Sequence, residues 1–182
     1  MPTQGKTAKG KSSKQAEKKS QKGGDKPNKE TGKTSSNELG KKRFANLSGR
    51  LYLAIYNPRP GEGNVLHWAL FLDCRSTNTW IVEVAGGPRQ WRRSILTGTR
   101  PSRTASHRRN EYLADIDDVD SFLSEVHQTT INNSVVLWNC QQYVMDILDR
   151  LNNEDLIDDY QYADIRDRLQ SQIDRGASSE RD

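Results

Sequence analysis

At 182 residues the chain has the length of one domain, and its two cysteines are too few for a disulfide framework and lack zinc-site spacing. The net charge of +4 is unevenly divided: residues 1–43 hold all 12 lysines and a net charge of +9, and the remainder, with 15 arginines against 20 acidic residues, carries −5. This excludes a uniformly basic protein and describes a basic tail on an acidic domain. No run approaches the roughly 18 apolar residues of a membrane span, and the start lacks the apolar stretch of a signal peptide. The expectation is therefore a reducing compartment, cytoplasmic or nuclear, with no membrane span.

Residues 1–43 mix Lys, Gly, Ser, Thr, Gln and Asn with almost nothing apolar. Such a segment buries too little surface to offset the entropy of ordering, so disorder is expected. Its charge suits an anionic partner, although no aromatic residue interleaves the lysines to stack on bases. A domain is expected over 44–175, with frayed residues at the C-terminus.

Leu51–Tyr56 reads as a first strand, stopped by Asn57-Pro58-Arg59-Pro60-Gly61. Val65–Asp73 and Thr79–Ala85 read as the second and third strands, joined as a hairpin and closed by Gly86-Gly87-Pro88. Alternation places His67, Ala69 and Phe71 on one face and Trp68, Leu70 and Leu72 on the other. Glu83 is a carboxylate inside an apolar run, which suits either a wet face or a partner such as an imidazole.

Residues 89–109 hold seven arginines and read as a long loop apart from a faint strand over Trp91–Leu96. Such a segment is either a solvated loop or a patch for an anionic partner, since guanidinium forks suit phosphate and carboxylate. His107 has no matching ligand or base in the pattern. Glu111–Ile116 reads as a strand, followed by a helix over 118–128 with Val119, Phe122, Leu123 and Val126 at helical spacing.

A strand-like Val135–Leu137 then leads to Asn139-Cys140, with Tyr143, Val144, Ile147, Leu148 and Leu151 at helical spacing. Asn is a good N-cap, which puts Cys140 at the first helical position, where the helix dipole favours a thiolate. Most thiols in such apolar company are core residues. One with a base is a nucleophile, and His67 is the candidate base. Two more helices are expected, over 154–159 and 162–173, with fraying from Asp174. Trp68, Trp80, Trp91 and Trp138 read as core or cleft wall, and Cys74 as structural. No Gly-rich phosphate loop or metal-ligand cluster is present, and no cofactor or metal is expected.

Two segments carry a resemblance. His67-Trp68-Ala69-Leu70-Phe71-Leu72 resembles the His-Trp-Ala-Leu strand of the circularly permuted papain-like, or NlpC/P60-like, superfamily, closest to its lecithin:retinol acyltransferase branch. Asn139-Cys140-Gln141-Gln142-Tyr143-Val144 is similar to that branch's Asn-Cys-Glu-His-Phe-Val box, and the His strand precedes the Cys helix as in the permuted enzymes. The likeness covers about residues 48–151.

The resemblance implies an α+β fold, with a small antiparallel sheet packed on the Cys140 helix and flanked by the 118–128 and C-terminal helices. It also implies thiol chemistry: Cys140 as nucleophile, His67 as base and then acid, and Glu83 orienting His67 where the acyltransferases carry a His. Strand parity allows His67 and Glu83 to share the face that meets the Cys140 helix. Gln142 stands where the box has His, and the chain ends in Ser-Ser-Glu-Arg-Asp where acyltransferase members usually carry a hydrophobic anchor. Both departures leave the substrate open among acyl, peptide and isopeptide groups. The competing expectation is an inactive member of the fold that binds nucleic acid or an acidic protein through its tail and the Arg89–Arg109 segment.

Overall fold

The structure, a computed structural model, describes residues 47–59, 64–75 and 78–178. The expected disordered tail, the domain start near Phe44, the far end of the first turn and residues 179–182 lie outside the described residues.

The fold is α+β: an open, fully antiparallel five-stranded sheet and three helices. The strands are β1 (Gly49–Tyr56), β2 (His67–Asp73), β3 (Thr79–Ala85), β4 (Arg92–Thr97) and β5 (His107–Ile116), in the order β4-β3-β2-β1-β5. β1 to β4 form a meander, and β5 returns to the free edge of β1 with two register irregularities. The helices are α1 (Val119–Gln128), α2 (Cys140–Asn153) and α3 (Asp159–Ser178).

The sheet's two faces differ. Leu51, Leu53, Ile55, Trp68, Leu70, Leu72, Val82 and Val84 form one core with the buried faces of all three helices. Ala54, Tyr56, Ala69, Phe71 and Ile81 form a smaller cluster on the other face, with Tyr52 packed against it. The 3.6-residue period of α2 buries Cys140, Tyr143, Val144, Ile147, Leu148 and Leu151 on its sheet side. Arg150 of α2 pairs with the buried Glu125 of α1, and Arg166 of α3 pairs with Asp149 of α2 at 2.8 Å, so charged contacts join the helices at their outer edges.

Four expectations need correction. The expected loop over 89–109 is shorter than read: β4 takes up Arg92–Thr97 as the faint strand signal suggested, and β5 begins at His107 rather than Glu111. Its first residues, Arg108, Arg109 and Asn110, are exposed at a sheet edge, so the backbone ladder to β1 forms without an apolar pattern to betray it. Val135–Leu137 is turn, not strand, and all three residues are exposed.

The short helix over 154–159 is also a turn. Asp155 is left-handed at φ 56°, and Leu156 N–H bonds back to Leu151 O, which stops α2. α3 starts instead at Asp159, with the Asp158 carboxylate accepting from Gln161 N at 2.8 Å as a cap. Finally, α3 is continuous through 174–178, where fraying was expected.

Candidate active site

β2 enters the sheet at His67 and β1 leaves it at Tyr56, its register partner, so the imidazole lies at one rim of the sheet. It is 1% exposed. Its Nε2 stands 2.9 Å from Glu83 Oε2 on β3. The same oxygen accepts a bond from Arg59 Nη2 at 2.7 Å, and Arg59 Nη1 donates to Val84 O at 3.2 Å.

Burial is the largest influence on the Glu83 carboxyl and would raise it. The His67 hydrogen bond, the Arg59 charge and the His67 charge together outweigh burial and hold it below 4.5. An ionised carboxylate only accepts, so the proton between the two groups sits on His67 Nε2, and in the neutral ring Nδ1 carries the lone pair. The Tyr56 ring lies against His67, with centroids 5.8 Å apart. Burial, with help from the Glu83 charge, pushes Tyr56 up to about 12 against the opposing charge of Arg59. Tyr56 is thus a neutral wall of the site.

The Cys140 helix starts at the same rim. Asn139 is extended, and its side-chain oxygen accepts from Gln141 N at 2.8 Å, so Cys140 occupies the first helical position. Gln141 Nε2 donates to Leu66 O at 3.2 Å, tying the first turn of α2 to the residue before His67. The preceding segment is fixed by Trp91: its ring Nε1 donates to Trp138 O at 2.9 Å, and its backbone exchanges two bonds with the Asn133 amide. The Trp138 ring in turn donates to Asp146 at 2.9 Å. These bonds fix the position of the Cys140 turn although 135–137 carry no regular structure.

The expected shared face needs a correction. His67 and Glu83 do share a face, but alternation puts them with Ala69, Phe71 and Ile81, away from the side that α2 covers. The first turn of α2 is instead tied to the rim of the sheet, where Gln141 reaches Leu66, the residue before His67.

An apolar cleft of about 210 Å³ opens at this rim, lined by Cys140 and Asn139 together with Val65, Pro88, Trp91, Val136, Leu137 and Trp138. The buried Cys140 is thereby a wall residue of a cavity. Cys74 differs: it lies at the end of β2, and burial with the Asp73 charge pushes its thiol up to about 11.

Sequence reasoning singled out His67, Glu83 and Cys140 but missed Arg59, an arginine between two prolines whose reach to Glu83 no local pattern reveals. It also gave the apolar Val136 and Leu137 to a strand. Within the Arg-rich segment, Arg93 bonds Tyr143 Oη and Thr129 O, Arg100 forks onto Asp73, and Arg109 pairs with Glu111. Among the described residues no group of acidic, His and Cys side chains is arranged to hold a metal, and no helix is long and apolar enough to cross a membrane. No family model, curated protein or solved structure matches the chain.

Proposed function

We propose that this chain is a cysteine-dependent hydrolase or acyltransferase of the circularly permuted papain-like type, nearest the lecithin:retinol acyltransferase branch. The observation that carries this reading is the hydrogen bond between His67 and Glu83 at the rim where the Cys140 helix begins. A carboxylate on Nε2 fixes the tautomer and stabilises imidazolium, which leaves Nδ1 as the base. Cys140 gives its proton to His67, and the thiolate attacks an ester or amide carbonyl carbon. The tetrahedral oxyanion is met by the backbone N–H of Cys140 at the helix start. Collapse breaks the bond to the leaving group, which takes the proton from His67, and a thioester remains. Water or another nucleophile then cleaves the thioester, giving hydrolysis or transfer.

The test is labelling with iodoacetamide and with acyl and ubiquitin-type thiol probes near pH 6. Cys140 should react much faster than Cys74, whose thiol stays protonated there. His67→Ala should remove the preference. Equal, slow labelling of both thiols in the wild type would sink the enzymatic reading.

A second reading keeps the fold as a binding module. The exposure of Arg89, Arg92, Arg103 and Arg108, beside the net +9 of residues 1–43, favours an anionic partner such as nucleic acid. Binding that is insensitive to salt would count against it.

A further inference from the structure

We propose that the cleft beside Cys140 is an acyl-group pocket, selecting donors whose acyl part is apolar and compact. This rests on the thiol chemistry proposed above and names the substrate class for it. Four observations carry the inference. The nucleophile candidate is itself a wall residue, so a carbonyl at its sulfur directs its substituent into this space.

Among the described residues no lining residue is charged, and Trp91, Val136, Leu137, Trp138, Val65 and Pro88 supply the walls. An ionic acyl substituent would lose hydration there with nothing to replace it. The volume sets the size: about 210 Å³ is somewhat more than the ~150 Å³ of an apolar cavity that takes up benzene. That size fits an aromatic side chain or a chain of six to eight carbons, and a sixteen-carbon chain exceeds it. Leu137, 84% exposed at the lip, has its side chain turned out of the core, as an entrance residue would.

Two sources share this chemistry: a medium-chain fatty acyl group, and an aminoacyl group with an aromatic or branched side chain. The experiment measures kcat/KM for p-nitrophenyl esters from acetyl to palmitoyl, with blocked phenylalanyl and aspartyl esters alongside. Full-length wild type, Cys140→Ala and Leu137→Asp are compared. In each turnover the Cys140 sulfur forms a thioester as the bond to p-nitrophenolate breaks, and water then releases the acid and restores the thiol.

The expected result is a Cys140-dependent rise of about tenfold or more from acetyl to hexanoyl or octanoyl, since each buried methylene contributes ~4-fold. A fall should follow by palmitoyl, and the phenylalanyl ester should exceed the aspartyl ester. Leu137→Asp should cut the octanoyl-to-acetyl ratio at least fivefold. Octanoyl above phenylalanyl names the fatty source, and the reverse order names the aminoacyl one.

Cys140-dependent turnover with no chain-length preference, or with preference for palmitoyl or aspartyl, overturns the pocket while leaving the thiol chemistry intact. Absence of Cys140-dependent turnover overturns the chemistry instead. The pocket is then read by tryptophan emission of Cys140→Ala, because Trp91 and Trp138 line it. A response to octanoate but not acetate, weakened by Leu137→Asp, supports the pocket, and no response to either overturns it.

Discussion

Oε2 of Glu83 accepts from both His67 and Arg59, so protonating that one carboxyl weakens two contacts together. Its folded value lies below 4.5, so the stabilisation from this pairing is complete above that pH and is lost as the pH falls through the folded value. Glu83→Gln removes that dependence: urea midpoints measured between pH 3 and 6 should fall less steeply with acid than in the wild type. The same variant loses the charge that stabilises imidazolium, and thiol-dependent turnover should drop about 10²–10⁴-fold. A Glu83→Gln protein with wild-type turnover would remove Glu83 from the site. His67 and Glu83 were legible as polar residues inside apolar strands, and Cys140 as the residue that follows an N-cap Asn at a helix start. Arg59 was not, because it lies in the loop after β1 and its partner is 24 residues away on β3.

At the scale of elements, the start of α2 depends on one side chain. Asn139→Ala deletes the bond to Gln141 N, and urea denaturation should show a loss of about 1 kcal/mol. Cys140 labelling should slow in parallel, because a frayed first turn weakens the alignment of free N–H groups behind the thiol. The β3–β4 connection has a different constraint. Gly86 sits at φ +118°, and a Cβ there would lie 2.4 Å from Gln90 O, in the turn that delivers Trp91 to the cleft. Gly86→Ala should therefore cost about 1–3 kcal/mol in thermal melts, whereas Gly87→Ala meets nothing and should melt close to the wild type. Apolar runs revealed β1 to β3, buried on both faces of the sheet, and helical periodicity revealed α1 and α2, which bury one face each. Neither pattern revealed the first half of β5, where an edge strand is held by backbone bonds to β1 rather than by apolar side chains.

For the whole molecule, the charge division makes a prediction independent of the site. Deleting residues 1–43 changes the formal net charge from +4 to −5. Nucleic-acid affinity measured against salt should lose most of its slope in the shortened protein, and Cys140 labelling should be unchanged. The family resemblance implied the α+β class and the roles of Cys140, His67 and Glu83, while the sequence's own patterning determined most of the strands and the capped helix with Cys140 at its first position. Those features are local: propensity, spacing and capping act within a few residues. Only the tertiary structure decided that His67 and Glu83 occupy the face away from the helices, that the first turn of α2 is tied to Leu66 beside His67, and that Arg59 joins the carboxylate. It also turned the apolar Val136 and Leu137 out into the lip of a cleft. Sheet order, face assignment and cleft walls arise from contacts between distant segments, and no local pattern encodes which of several apolar surfaces is left without a partner.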